Sequence, residues 1–201
     1  MLKLIFIDSE YLSLSKEKSS FHEINKNKKI LFPEIFQFAL IKTDLDLKLD
    51  KIKKINFYIK TKNKIPNRLI KLTNYNPVKK NLILFKKFIK KMNILSYKNQ
   101  LIVVNGDDIK LLKMNMKFNK IKLSNKKIRY LNLRSFLKKI YNKEFTTAEL
   151  KRKFLPNNST KLHNALNDCV VLIKALKIIK NKKKNQSFEK LILKNSSEIK
   201  I

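Results

Sequence analysis

The sequence predicts an α/β fold, a mixed sheet of about five strands flanked by helices. Three observations predict it. Apolar, β-rich segments open the chain in close succession, helical periodicity takes over after Pro66, and further buried-strand patterns then alternate with helices. At 201 residues, 43% of them hydrophobic, the chain supplies one sizeable core rather than two. The expected organisation is one domain over residues 1–180 followed by a basic tail over 181–201, with no internal repeat.

The first element is LKLIFI (residues 2–7), apolar and nearly continuous, as in a strand covered on both faces. The polar stretch SLSKEKSSFHEINKNKK reads as an irregular surface loop, with His22 as a surface residue. EIFQFALIKT (34–43) and KINFYIKT (54–61) are the next strands, joined by DLDLKLDKIK. Connections this short allow an antiparallel meander and no parallel crossover. NRLIKLTNY and, beyond Pro77, NLILFKKFIKKM repeat apolar residues at steps of three and four, which predicts helices.

QLIVVNGDD (100–108) returns to a buried-strand pattern and ends at Gly106, the one glycine of the chain, with DIKLLK opening a helix. IRYLNLRSFLKKIYN (128–142) reads as a short strand passing into a helix, and TTAELKRKF (146–154) as a helix capped by Thr146 or Thr147. Ala165, Cys169, Leu172, Leu176 and Ile179 form a helical stripe that should dock on the sheet. Beyond NKKKNQS one short helix is expected at FEKLILK, with frayed ends.

Charge constrains the partners. The chain has 48 Lys and Arg against 15 Asp and Glu, a net +33, and that sign attracts polyanions, above all nucleic-acid phosphates. The excess is almost all Lys, accompanied by Asn and Ile as in an A+T-rich coding sequence, so charge alone does not name the partner. A single cysteine, Cys169, excludes an internal disulfide, and the N-terminus reaches acidic residues too soon for a secretory signal. The expected compartment is the cytosol. No apolar stretch approaches the roughly 18 to 20 residues of a membrane helix, so no membrane partner is expected.

Two of the few acids, Asp8 and Glu10, stand where the first apolar run ends, at the period-two spacing that puts both on one face of a strand. Carboxylates that close repel unless a cation lies between them, and hard oxygen ligands suit Mg²⁺ or Mn²⁺. Such pairs also occur by chance at strand ends. NGDD (105–108) closes the later buried strand at the carboxyl edge of the sheet, where ligand sites of α/β proteins lie. Asp107 or Asp108 could add a third carboxylate there, although both are also ordinary turn and cap residues. In HNALNDCVVL (163–172), Asp168 falls on the border of the apolar stripe, where a half-buried carboxylate needs a partner. His163 stands at the mouth of that helix and is chemically able to take a proton from water. A solvated flank Asp and a His serving the helix N-terminus are the plainer alternatives.

D-x-E on an early strand, an Asp after a mid-chain strand and H-x4-D opening a late helix, in that order, resemble the DnaQ-like 3′–5′ exonucleases of the DEDD superfamily, in the DEDDh branch. PEIFQFALIKTD looks like that family's second strand, FYIKTKNKIPNRLIKLTNYNP like its third strand and following helix, and YLNLRSFLKKIYN like the segment before its last motif. The resemblance covers roughly residues 1–180 and is strongest to the KapD/Eri-type enzymes, whose first motif has an aromatic after the glutamate, as Tyr11 follows Glu10. LTN (72–74) stands where the family has Leu-Thr-Gly.

The resemblance implies an RNase H-like fold and two-metal cleavage of phosphodiesters. Asp8, Glu10, Asp108 and Asp168 would hold two Mg²⁺ or Mn²⁺ ions, His163 would be the general base, and Tyr11 and Asn164 would contact substrate. Asp108 is preferred because DIKLL matches the family's Asp-Leu-Lys pattern, with Asp107 as the alternative. The implied partner is a single-stranded or frayed 3′ end of RNA or DNA. The competing readings are a non-catalytic nucleic-acid-binding protein on the same fold and a proofreading subunit of a polymerase.

Overall fold

A computed structural model of the chain describes residues 2–12, 32–48, 52–75, 81–92, 99–121, 127–157, 159–182 and 187–200. The polar loop expected after residue 12, with His22, lies outside the described residues. Strands β1 (Lys3–Tyr11), β2 (Ile35–Asp44) and β3 (Lys53–Ile59) form the expected antiparallel meander. Helix α1 (Asn67–Thr73) follows, then β4 (Leu82–Ile83) and α2 (Phe85–Met92). β5 (Gln100–Val104) lies parallel to β1 and leads into α3 (Asp108–Phe118), and β6 (Lys127–Asn132) lies parallel to β5 and leads into α4 (Leu133–Tyr141). Helices α5 (Thr147–Phe154), α6 (Ala165–Lys182) and α7 (Phe188–Lys194) precede β7 (Ser197–Lys200). The sheet order is β4-β3-β2-β1-β5-β6-β7.

Among the described residues seven strands, rather than about five, make the sheet. The two extra ones sit at its edges. β4 is a two-residue parallel pairing with β3, too short to show any periodicity, and it occupies what reads as the start of a helix. β7 pairs antiparallel with β6 where a frayed end is expected; its sequence, SEIK, is exposed except at Ile199 and shows no apolar alternation. Phe188 and Ile192 of α7 are buried in the main core, so residues 188–200 pack onto the fold.

Alternation along β1 divides the interior. Leu4 and Phe6 face one side, where Ala39, Val103, Leu137 and the α6 residues Cys169, Leu172, Leu176 and Ile179 pack. Ile5 and Ile7 face the other, against Phe88 of α2 and Ile109, Leu112 and Met116 of α3. All five residues of the stripe expected on α6 are buried. Thr146 is the cap of α5: its side chain accepts from the Glu149 amide while Glu149 reaches back to the Thr146 amide. Asn74 ends α1 in the left-handed conformation, φ 52°, ψ 36°, and its amide donates to the Ile70 carbonyl. Asn tolerates that region better than most side chains, which explains how LTN occupies a position where glycine would be unstrained.

Candidate active site

β1 does not stop where its apolar run stops. Asp8 pairs with Ala39 and Glu10 with Gln37 across the β1/β2 ladder, so the strand continues through Asp8, Ser9 and Glu10. The register shifts between Glu10 and Tyr11, where β2 carries the extra residue Phe36. Asp8 and Glu10 therefore lie on the face that α6 covers, and Asp168 in the first turn of α6 meets them. One carboxylate oxygen from each of Asp8, Glu10 and Asp168 lies within 4.8 Å of the others. Asp168 is 7% exposed, and its Oδ1 is buried without a hydrogen-bond partner.

Asp108 acts on the cluster from the opposite layer and lies outside the three whose oxygens meet within 4.8 Å. As the first residue of α3 it accepts a 2.6 Å hydrogen bond from the hydroxyl of Ser9, whose side chain points away from the Asp8 and Glu10 face. Asp107, the preceding residue, is exposed and caps the helix without a side-chain hydrogen bond. The parallel pairing of β1 with β5 makes this meeting possible, because β5 ends at Val104 while β1 runs on beside the turn that follows.

Mutual repulsion and burial dominate the electrostatics. Burial pushes Asp8 well above the usual carboxylate range, and the charges of Asp108, Asp168 and Glu10 push it further. Glu10 is raised to about 8 by burial and then by Asp168 and Asp108. Asp168 is raised to about 7 by burial, opposed by a hydrogen bond from the His163 main-chain amide and by the charge of Lys151. Asp108 is also raised by burial, against which the Ser9 hydroxyl works. An all-oxygen, desolvated and unneutralised donor set of this kind fits a hard divalent cation, which would remove the repulsion.

The remaining expected residues surround this cluster. His163 is exposed in the left-handed region, φ 61°, and touches Asp168 through its main-chain N–H. The Asn164 carbonyl accepts from the Asp168 amide at 2.9 Å and its Oδ1 from the Asn167 amide at 3.4 Å, so Asn164 caps α6. Tyr11, 36% exposed, has its phenol raised by partial burial and by Asp108, Asp107 and Glu10, with Arg134 opposing. Sequence reasoning missed three neighbours: Ser9, Lys151, whose ammonium also donates to the Thr160 carbonyl at 2.7 Å, and Arg134. Only Ser9 had a signal, the alternation that turns the middle residue of D-S-E toward the other layer.

This sheet, with acids gathered where its first strand meets the last long helix, defines the RNase H-like nuclease fold. The chain belongs to the RNase T exonuclease family, whose model matches residues 5–176. No relative is found among curated proteins by sequence. Solved structures share the fold at low identity. The nuclease domain of 3′hExo, a DEDDh family member bound to rAMP, is 15% identical with a TM-score of 0.70, covering 90% of this chain and 92% of that one. Cell-death related nuclease 4 is 16% identical with a TM-score of 0.66, covering 90% and 64%. The zinc-bound complex of E. coli exonuclease I with single-stranded DNA is 14% identical with a TM-score of 0.68, covering 92% and 42%. The chain thus spans less than two thirds of the length of the latter two. Among the described residues no helix is long and apolar enough to cross a membrane.

Proposed function

We propose that the protein is a metal-dependent 3′–5′ exonuclease that hydrolyses phosphodiester bonds at the 3′ end of single-stranded RNA or DNA. The observation that carries this reading is the convergence of Asp8, Glu10 and Asp168 within 4.8 Å, desolvated and opposed in charge only by Lys151 at Asp168 among the causes that shift Glu10 and Asp168. Residues 1–180 carry the reaction in this account, and the C-terminal segment completes the sheet.

Asp8, Glu10, Asp108 and Asp168 would hold two divalent ions, Mg²⁺ or Mn²⁺. Ions so held supply Lewis-acid stabilisation of the charge that develops on the attacking and leaving oxygens. The chain's own residues do the rest. Ser9 fixes the rotamer of Asp108 through the 2.6 Å hydrogen bond to Oδ1, leaving Oδ2 outside that bond. The His163 main chain holds Asp168, and its exposed imidazole is the general base that takes the proton of the attacking water. Tyr11, at the bulge beside Glu10, and Asn164, at the mouth of α6, flank the strand as it enters. The basic surface draws in the phosphate chain without reading bases.

The test is a time course on single strands of one sequence, as RNA and as DNA, labelled at either the 5′ or the 3′ end, with Mg²⁺, Mn²⁺ or EDTA. The reading predicts a ladder that shortens from the 3′ end, immediate loss of 3′ label as mononucleotide, and no reaction in EDTA. Salt-sensitive binding with intact label under every condition would replace it with the non-catalytic nucleic-acid-binding reading.

A further inference from the structure

Arg134, whose charge acts on the Tyr11 phenol beside the carboxylates, is built into the site without an ion pair among the described residues. It is one of four arginines in a chain of 48 Lys and Arg. It stands second in α4, where its amide donates to Oδ1 of the cap residue Asn132 at 3.0 Å. Asn132 Nδ2 in turn donates to the Gly106 carbonyl at 3.0 Å, tying the end of β6 to the turn after β5. The guanidinium then lies over Gly106: Nη2 is 3.4 Å and Cζ 3.8 Å from where a β-carbon on that residue would stand. The chain's single glycine is therefore the floor on which this side chain rests.

Arg134 Nε is buried and has no hydrogen-bond partner, and among the described residues Arg134 takes part in no ion pair. A half-buried guanidinium in that state has paid for desolvation without receiving an acceptor. Asp108, Asp107 and Glu10 push the Tyr11 phenol up and Arg134 pushes it down, so the guanidinium shares the Tyr11 neighbourhood with the acids without pairing with any of them. A bound nucleic-acid strand brings anions to this place, and a planar fork of five donors matches the non-bridging oxygens of a phosphate better than an ammonium does.

We infer that Arg134 is a substrate-positioning residue that takes a backbone phosphate of the bound strand. The inference rests on the exonuclease reading for the existence of that strand, and it names the residue that aligns it. Gly106 keeps the guanidinium in place, and Asn132 keeps Gly106 in place.

The experiment is a binding cycle by fluorescence anisotropy in EDTA, so that no hydrolysis enters it. The unsubstituted protein, Arg134→Met, Arg134→Lys and a control, Lys87→Met at an exposed position of α2, are titrated against a 5′-labelled single strand and against the same strand with neutral methylphosphonates at its last three linkages. On the native strand Arg134→Met is expected to bind about tenfold more weakly and Arg134→Lys about threefold, while Lys87→Met stays within about twofold. On the neutralised strand the differences among them should vanish, with melting temperatures unchanged throughout. A penalty for Arg134→Met no larger than that for Lys87→Met, or one that persists on the neutralised strand, would overturn the assignment. Should the cycle hold while the end-labelled strands stay uncut in Mg²⁺, only the exonuclease reading fails.

Discussion

The Ser9 hydroxyl donates to Asp108 Oδ1 at 2.6 Å, and this contact ties the first residue of α3 to β1 between Asp8 and Glu10. Ser9 projects from β1 toward the α3 side while its neighbours Asp8 and Glu10 project toward α6. Removing the hydroxyl frees the Asp108 rotamer without changing a single acid. Ser9→Ala is therefore expected to lower kcat about tenfold and to raise the Mg²⁺ concentration needed for half-maximal rate, with the fold intact by circular dichroism.

The two adjacent acids at the start of α3 differ in placement, and their substitutions should differ accordingly. Asp108 faces Ser9 and acts on Asp8, whereas Asp107 is exposed. Asp108→Asn should cost about 100-fold or more in rate and Asp107→Asn no more than about threefold, read as initial rates on one labelled strand.

Raised carboxylates carry a stability consequence of definite sign. Glu10 at about 8 and Asp168 at about 7 hold their protons more tightly folded than unfolded, where carboxylates titrate near 4. Their destabilising contribution is absent below about pH 4 and accumulates as pH rises to the folded values, then stays constant. In EDTA the melting temperature should fall between pH 5 and pH 8. Glu10→Gln should melt higher than the unsubstituted protein at pH 8 and indistinguishably at pH 4. Mn²⁺ should raise the melting temperature at pH 8 in the unsubstituted protein more than in Glu10→Gln. Thermal scans over this grid check all three statements.

Asn74 gives a test of backbone conformation independent of the site's chemistry. At φ 52° a β-branched or alanine side chain is strained and glycine is not. Asn74→Ala should destabilise the fold by about 1 kcal/mol in urea titration, and Asn74→Gly should be neutral or slightly stabilising.

The antiparallel pairing of β2 with β3 was legible because DLDLKLDKIK is too short for a crossover, and α6 because its stripe repeats over five positions. The shared face of Asp8 and Glu10 followed from period two alone. What was not legible is what depends on distant pairing. β1 extends past its apolar run because β2 pairs with Asp8 and Glu10, which local hydrophobicity does not record. β7 is stitched to β6 by main-chain pairing and by Glu198 beside Arg129, with almost no apolar content of its own. Ser9 and Asp108 are 99 residues apart, and Arg134 meets Gly106 only because β5 and β6 end side by side.

The most direct measurement compares the unsubstituted protein with Asp8→Ala on one 5′-labelled single strand at saturating Mn²⁺, after both have been shown to melt cooperatively. Stepwise shortening from the 3′ end by the former and none by the latter is the predicted result. Equal shortening by both proteins would contradict the account, because the reaction would then not depend on the carboxylates that β1 and α6 bring together.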